Sequence, residues 1–323
     1  MKLARVSGAA LVLAVAACAA VVPAPKAERL AIRRPSLQHP LTETYPGPAQ
    51  PRDPVKAGVF ARINADRARA NLPPLAWDEA ASRVADAYTA AQVADGTNGH
   101  FLIDGIPPYA RTALAEVFGM GAENSVSWRT TGPKFRESAL ELALAGQADM
   151  MRETPPYDGH RRTILDPNAT HVGVGYAIDR GNFRMAQEFL TRRLSELSLQ
   201  RVGDNPDTVL VKGRPLGSNR LRFVTLAREP SPRPLTKAEA SARTTYTFPE
   251  PKLAYVEEGL KSMHVVGAET EDRIRIAGSG HFQFRFTPPS AGLWTLVFYL
   301  AEGREKAIPG GLAVLWVEKA PPN

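Results

Sequence analysis

The chain has 323 residues, 44% hydrophobic and 23% charged, which is ordinary for a soluble globular protein and excludes a large disordered or fibrous one. A single core rarely fills so long a chain, so two domains are expected. The formal charge of +7 is spread thinly, with −2 over residues 55–190 and +5 over residues 191–323. No basic cluster is longer than pairs such as Arg161–Arg162 and Arg192–Arg193, which excludes nucleic acid as an expected partner.

The N-terminus places Lys2 and Arg5 ahead of an apolar run from Ala9 to Val22. That run is too short for a membrane span and reads as an export signal, leaving no transmembrane helix in the mature protein. Val15-Ala16-Ala17-Cys18 resembles a bacterial lipobox, which implies a signal peptide over residues 1–18 and lipidation at Cys18. The alternative is an ordinary signal cut just beyond Ala20. The first reading anchors the protein to the cell envelope by its lipid, and the second leaves it secreted or periplasmic. Cys18 is the single cysteine, so no internal disulfide framework exists.

Residues 19–54 hold eight prolines and no sustained periodicity, as in an extended tether. Asp53-Pro54 is a helix start, because Asp accepts from free amides and Pro needs no donor at the first position. Val59, Phe60 and Ile63 then share a face, and Pro73-Pro74 ends the helix. Asp78 opens a second helix, with Ala81, Val84, Ala85 and Tyr88 at helical spacing. A third is expected over Lys134–Met151. Strands are expected at Val172–Ile178 and Phe183–Phe189. Helices followed by an antiparallel hairpin indicate an α+β sandwich over residues 55–190.

Residues 191–206, ending in Gly203-Asp204-Asn205-Pro206, read as a linker, and residues 55–200 are expected to fold alone. Residues 207–323 then alternate with period two, as in Phe282, Phe284 and Phe286 against Gln283, Arg285 and Thr287. Further strands at Arg220–Leu226, Arg273–Ala277, Leu293–Leu300 and Leu312–Val317 make a smaller all-β sandwich, Ig-like by strand spacing.

Four residues of the first domain have side chains suited to a divalent cation: His100, Glu123, Glu153 and His160. Imidazole supplies neutral nitrogen, and carboxylates supply charge or orient the rings from behind. Their spacing matches no compact motif, and scattered histidines are more often structural than ligating. His39, His171, His264 and His281 have no spaced partner. Ser125 and Ser127 follow Glu123, yet no Gly-x-Ser-x-Gly elbow is present, so no catalytic residue is assigned.

Ile63-Asn64-x-x-Arg67, Leu75-x-Trp77-Asp78, Ala85 and Ala87, His100, Ala122-Glu123-Asn124, Gly159-His160-Arg161 with Ile164-Leu165, Gly173-Val174-Gly175 and Gln187-x-Phe189 occur in that order. The ordered set resembles the CAP (SCP-like, pathogenesis-related-1-like) domain over about 135 residues. The resemblance implies an α-β-α sandwich whose two His and two Glu line a central cleft, with zinc or another divalent cation on His100 and His160. Glu123 and Glu153 would be the ligand-binding carboxylates. Glu153 lacks the Trp the family places before it, having Met150 and Met151 instead, and residues 102–120 depart from compact members. The expected function is an exported, non-catalytic binding module for a small ligand or envelope component. The alternatives are a metal-assisted or Ser/His peptidase and a structural envelope protein.

Overall fold

A computed structural model describes residues 30–33, 50–202, 205–260, 262–302 and 306–319. The signal peptide and Cys18 lie outside the described residues. The elements begin with β1 (Leu30–Arg33), α1 (Pro54–Arg69), β2 (Ala76–Trp77), α2 (Glu79–Asp95), α3 (Pro108–Leu114), β3 (Met120–Arg129), α4 (Ala139–Arg152), α5 (Gly159–Ile164), β4 (His171–Asp179) and β5 (Asn182–Thr191). They continue with β6 (Leu194–Val202), β7 (Asn205–Pro215), β8 (Leu221–Glu229), α6 (Lys237–Ala242), β9 (Pro251–Glu257), β10 (Glu269–Ile276), β11 (Phe282–Phe286), β12 (Gly292–Glu302) and β13 (Lys306–Lys319).

The first domain is a four-stranded sheet, ordered β2-β4-β5-β3, between two helical layers. The Asp53 carboxylate accepts from the amides of Val55 and Lys56, and Asp78 caps α2 at Ala81. The third helix starts later than Lys134, at Ala139. Ser138 and Glu141 form a reciprocal capping box there, which fixes the first turn. On one face of the sheet, Val172, Val174, Phe183, Met185 and Phe189 meet Val59, Phe60 and Ile63 of α1 and Leu142 and Met150 of α4. On the other face α2 lies directly on β4. A Cβ on Gly173 would stand 2.2 Å from the Ser82 amide nitrogen, and one on Gly175 would stand 2.2 Å from Ala85 backbone. Asn64 and Arg67 act on loop backbone. The Asn64 side chain exchanges two bonds with Leu75, and Arg67 donates to the carbonyls of Pro73, Ile164 and Asp166.

The second domain is one nine-stranded sheet, ordered β1-β13-β12-β8-β9-β10-β11-β7-β6. Strand β10 turns it over. Its first residues pair with β9, a bulge follows between Asp272 and Ile274, and Arg275 and Ile276 pair with β11 instead. The two halves so formed enclose a core that includes Phe282, Phe284, Phe286, Leu296, Phe298 and Val317. The β9–β10 pair is parallel, which departs from an all-antiparallel Ig pattern.

Two boundaries differ from the sequence reading. Residues 191–206 are not a linker, because Leu194 and Leu197 are buried in the second core and β6 pairs with β7. The stretch taken as a tether contains β1, which pairs with β13 and buries Ile32 in the same core. The first domain is therefore inserted between the edge strand of the second and the rest of it. Among the described residues no helix is long and apolar enough to cross a membrane.

Candidate functional site

His100 sits where α2 has ended. Gly96 takes the left-handed conformation (φ 65°) that closes the helix, and the loop turns back under Tyr88 and Gln92, which both donate to the Gly99 carbonyl. This holds the His100 ring over β3, where its Nδ1 lies 2.8 Å from Glu123 Oε1. The other Glu123 oxygen accepts from Arg111 Nη1 at 2.5 Å, and Arg111 also donates to the His100 carbonyl. The Glu123 side chain has no exposed surface. A guanidinium and an imidazole thus meet the two oxygens of this buried carboxyl group.

Opposite Glu123 across the β3–β5 ladder stands Glu188, also buried. Burial, then the neighbouring Glu123 charge, raises the Glu188 pKa well above the ordinary carboxylate value, which favours its protonated form. Burial likewise raises the Tyr88 hydroxyl, over whose ring Arg111 lies at 3.9 Å.

The other half of the site is built at the end of α4. Glu153 follows the last turn and reaches over the start of α5, where its Oε2 accepts from the amides of His160 and Arg161. Its Oε1 is 2.5 Å from His160 Nδ1. The Asn124 amide donates to the His160 carbonyl at 3.1 Å. Behind it a chain of buried amides runs through Gln187 and Gln147 to Asp66. The Ala122-Glu123-Asn124 triplet lies within strand β3. Alternation along β3 sends Glu123 to the His100 side and Asn124 to the His160 side. β3 is the edge strand of its sheet, and the two His–Glu pairs are attached to its two faces.

Both rings thus place Nδ1 against a carboxylate, an arrangement in which a neutral ring donates from Nδ1 and keeps its lone pair on Nε2. Among the described residues no three or more His, Cys, Asp or Glu side chains are grouped to hold a metal. Ser125 bonds with Tyr88, while the His160 ring is engaged by Glu153.

Three residues of the site escaped the sequence reading. Glu188 was detectable as a charge in the middle of the apolar β5. Arg111 was detectable as a cation between the apolar ends of α3. Tyr246 carried no signal, because it comes from the second domain: its hydroxyl accepts from the Glu123 amide at 2.8 Å and its ring meets His100 edge-on at 5.2 Å.

Residues 60–191 match the family profile described as CAP, the cysteine-rich secretory protein family. The chain is 30% identical over 132 residues to the uncharacterized protein YkwD of Bacillus subtilis (strain 168), a match covering 41% of this chain and 45% of that one. It therefore spans less than half the length of that curated relative. Among solved structures, an extracellular protein containing a SCP domain from Bacillus anthracis str. Ames aligns at 22% identity and a TM-score of 0.33, covering 43% of this chain and 40% of that one. Schistosoma mansoni venom allergen-like protein 4 aligns at 10% identity and a TM-score of 0.28, over 43% of this chain and 88% of that one. With its ordered motifs, its α-β-α layers and its paired His and Glu, the unit over residues 60–191 is a CAP-family domain.

Proposed function

We propose that this protein is an exported, non-enzymatic binding module whose CAP cleft holds one divalent cation, zinc foremost, between Nε2 of His100 and Nε2 of His160. The observation that carries the reading is the carboxylate on Nδ1 of each ring, Glu123 on one and Glu153 on the other. Such a partner fixes the tautomer and makes the outer nitrogen more basic. Two protein ligands with open positions imply modest affinity, and protons compete with the metal, so uptake falls on acidification. Export, with a lipid at Cys18 holding the protein to the envelope, rests on the N-terminal sequence. A mature N-terminus beyond Cys18, found by mass spectrometry, would remove the anchor.

Zinc calorimetry tests the cleft. His100→Ala and His160→Ala should each abolish most uptake. Glu153→Gln should weaken it by about tenfold, the lower range for a residue behind the ligand. Unchanged uptake in the double His variant would refute the reading.

A further inference from the structure

The connection from β8 to β9, residues 230–250, leaves the second domain and lies across the first. Pro230, Pro232 and Pro234 stiffen its outward arm, and α6 turns it back. Its later half packs on the first domain through Tyr246 and Phe248, whose rings lie 6.5 and 4.8 Å from that of Tyr109, while the earlier half is held more lightly. Leu235 donates its amide to the Ile103 carbonyl at 2.7 Å, and Leu235 and Ala240 pack on Phe101. Arg243 lies over the Phe101 ring at 5.1 Å. Tyr246 reaches furthest, onto His100 and the Glu123 amide. Within residues 230–250 Leu235 and Ala240 are the buried side chains. Beside these contacts a cavity of about 480 Å³ separates the segment from the body, lined by Phe101, Pro107, Tyr109, Glu229, Tyr246 and Leu293.

The two histidines differ accordingly. The His160 side chain is 34% exposed and the His100 side chain 12%. With only Leu235 and Ala240 buried and a cavity beside it, the segment can open locally while both cores stay folded, at the cost of the Tyr246 and Phe248 contacts to Tyr109.

We propose that residues 230–250 are a cover on the His100 half of the cleft, and that Tyr246 is the residue deciding what enters. A small cation with its waters passes beside the ring. A bulkier ligand reaches His100 only when the cover lifts. The site is thus composite: the first domain supplies the imidazoles and the second controls access to one of them. The choice of a cation rests on the reading of the cleft given above, whereas the shielding of His100 does not.

Carbethoxylation with diethyl pyrocarbonate, read residue by residue by peptide mass spectrometry, tests the cover in the full chain without any metal. His160 should label faster than His100 in the wild type. Tyr246→Ala should speed labelling of His100 by at least about fivefold, as removal of local protection does, and leave His160 unchanged. Tyr246→Phe should change His100 by less than about twofold, since the ring stays. Leu235→Ala loosens the cover with Tyr246 intact and should also speed His100, so the test survives if Tyr246→Ala misfolds. Equal labelling of the two histidines in the wild type, or an unchanged His100 rate in a folded Tyr246→Ala or Leu235→Ala protein, would overturn the cover. Zinc calorimetry on the same samples separates the two claims. Zinc uptake lost from the wild type while His100 stays shielded refutes the cation and keeps the cover.

Discussion

Glu123 is the residue on which the site turns. One carboxylate meets His100, Arg111 and the field of Glu188, and its own amide is taken by Tyr246. Two buried carboxyls this close disfavour ionisation of both, and burial with the Glu123 charge outweighs Arg111 at Glu188, so its protonated form is the favoured one. Its pKa is raised in the folded state, so its contribution to stability is complete below the ordinary value of 4.5 and is lost as pH rises above it. Glu188→Gln keeps the shape and removes the titration. Urea unfolding of both proteins from pH 5 to pH 8 should show wild-type stability falling relative to the variant, by at most about 1.4 kcal/mol per pH unit for one proton. Parallel curves would show that Glu188 is ionised in the native protein.

Between elements, the site depends on how closely α2 lies on β4, because that contact sets where the helix ends and hence where His100 sits. Gly175→Ala would drive a Cβ into α2 backbone, which cannot turn aside as a side chain does. It should cost about 3 kcal/mol or more in chemical denaturation. Gly159→Ala meets nothing within 4 Å and should stay within about 0.5 kcal/mol. A mild effect at Gly175 would mean that the helix stands further off. These glycines, the caps at Asp53 and Asp78 and the strands β4, β5 and β11 were legible because local pattern and tertiary role agree there. The loss of β1 and β6 to a tether and a linker has a physical reason: their partners, β13 and β7, are chosen by long-range pairing, and proline-rich or polar flanks hide four to nine residues of strand. In the site, the His and Glu positions were legible through ordered motifs. Arg111 and Glu188 stood in the sequence as charges in apolar settings, but only the fold names their partners, and Tyr246 needed the packing of two domains.

At the scale of the whole molecule, the CAP domain is nested in the β domain rather than strung before it. Tyr109, Ala110, Ala113 and Leu114 of α3 pack on Leu293, Val297, Leu312 and Val314. Residues 50–193 made alone should fold on their own core yet unfold at lower urea than the same unit in the full chain, because that face is bared. Equal midpoints would mean the interface contributes nothing. The second domain thereby has two roles, bracing α3 and setting Tyr246 over His100. The claim on which the account depends is that His100 and His160, from opposite faces of one edge strand, share a cation. Anomalous diffraction at the zinc edge from a crystal soaked with zinc tests it most directly. The account predicts one peak about 2.0–2.1 Å from Nε2 of both rings. A map with no peak there at saturating zinc, or a peak bound by one ring alone, would contradict it.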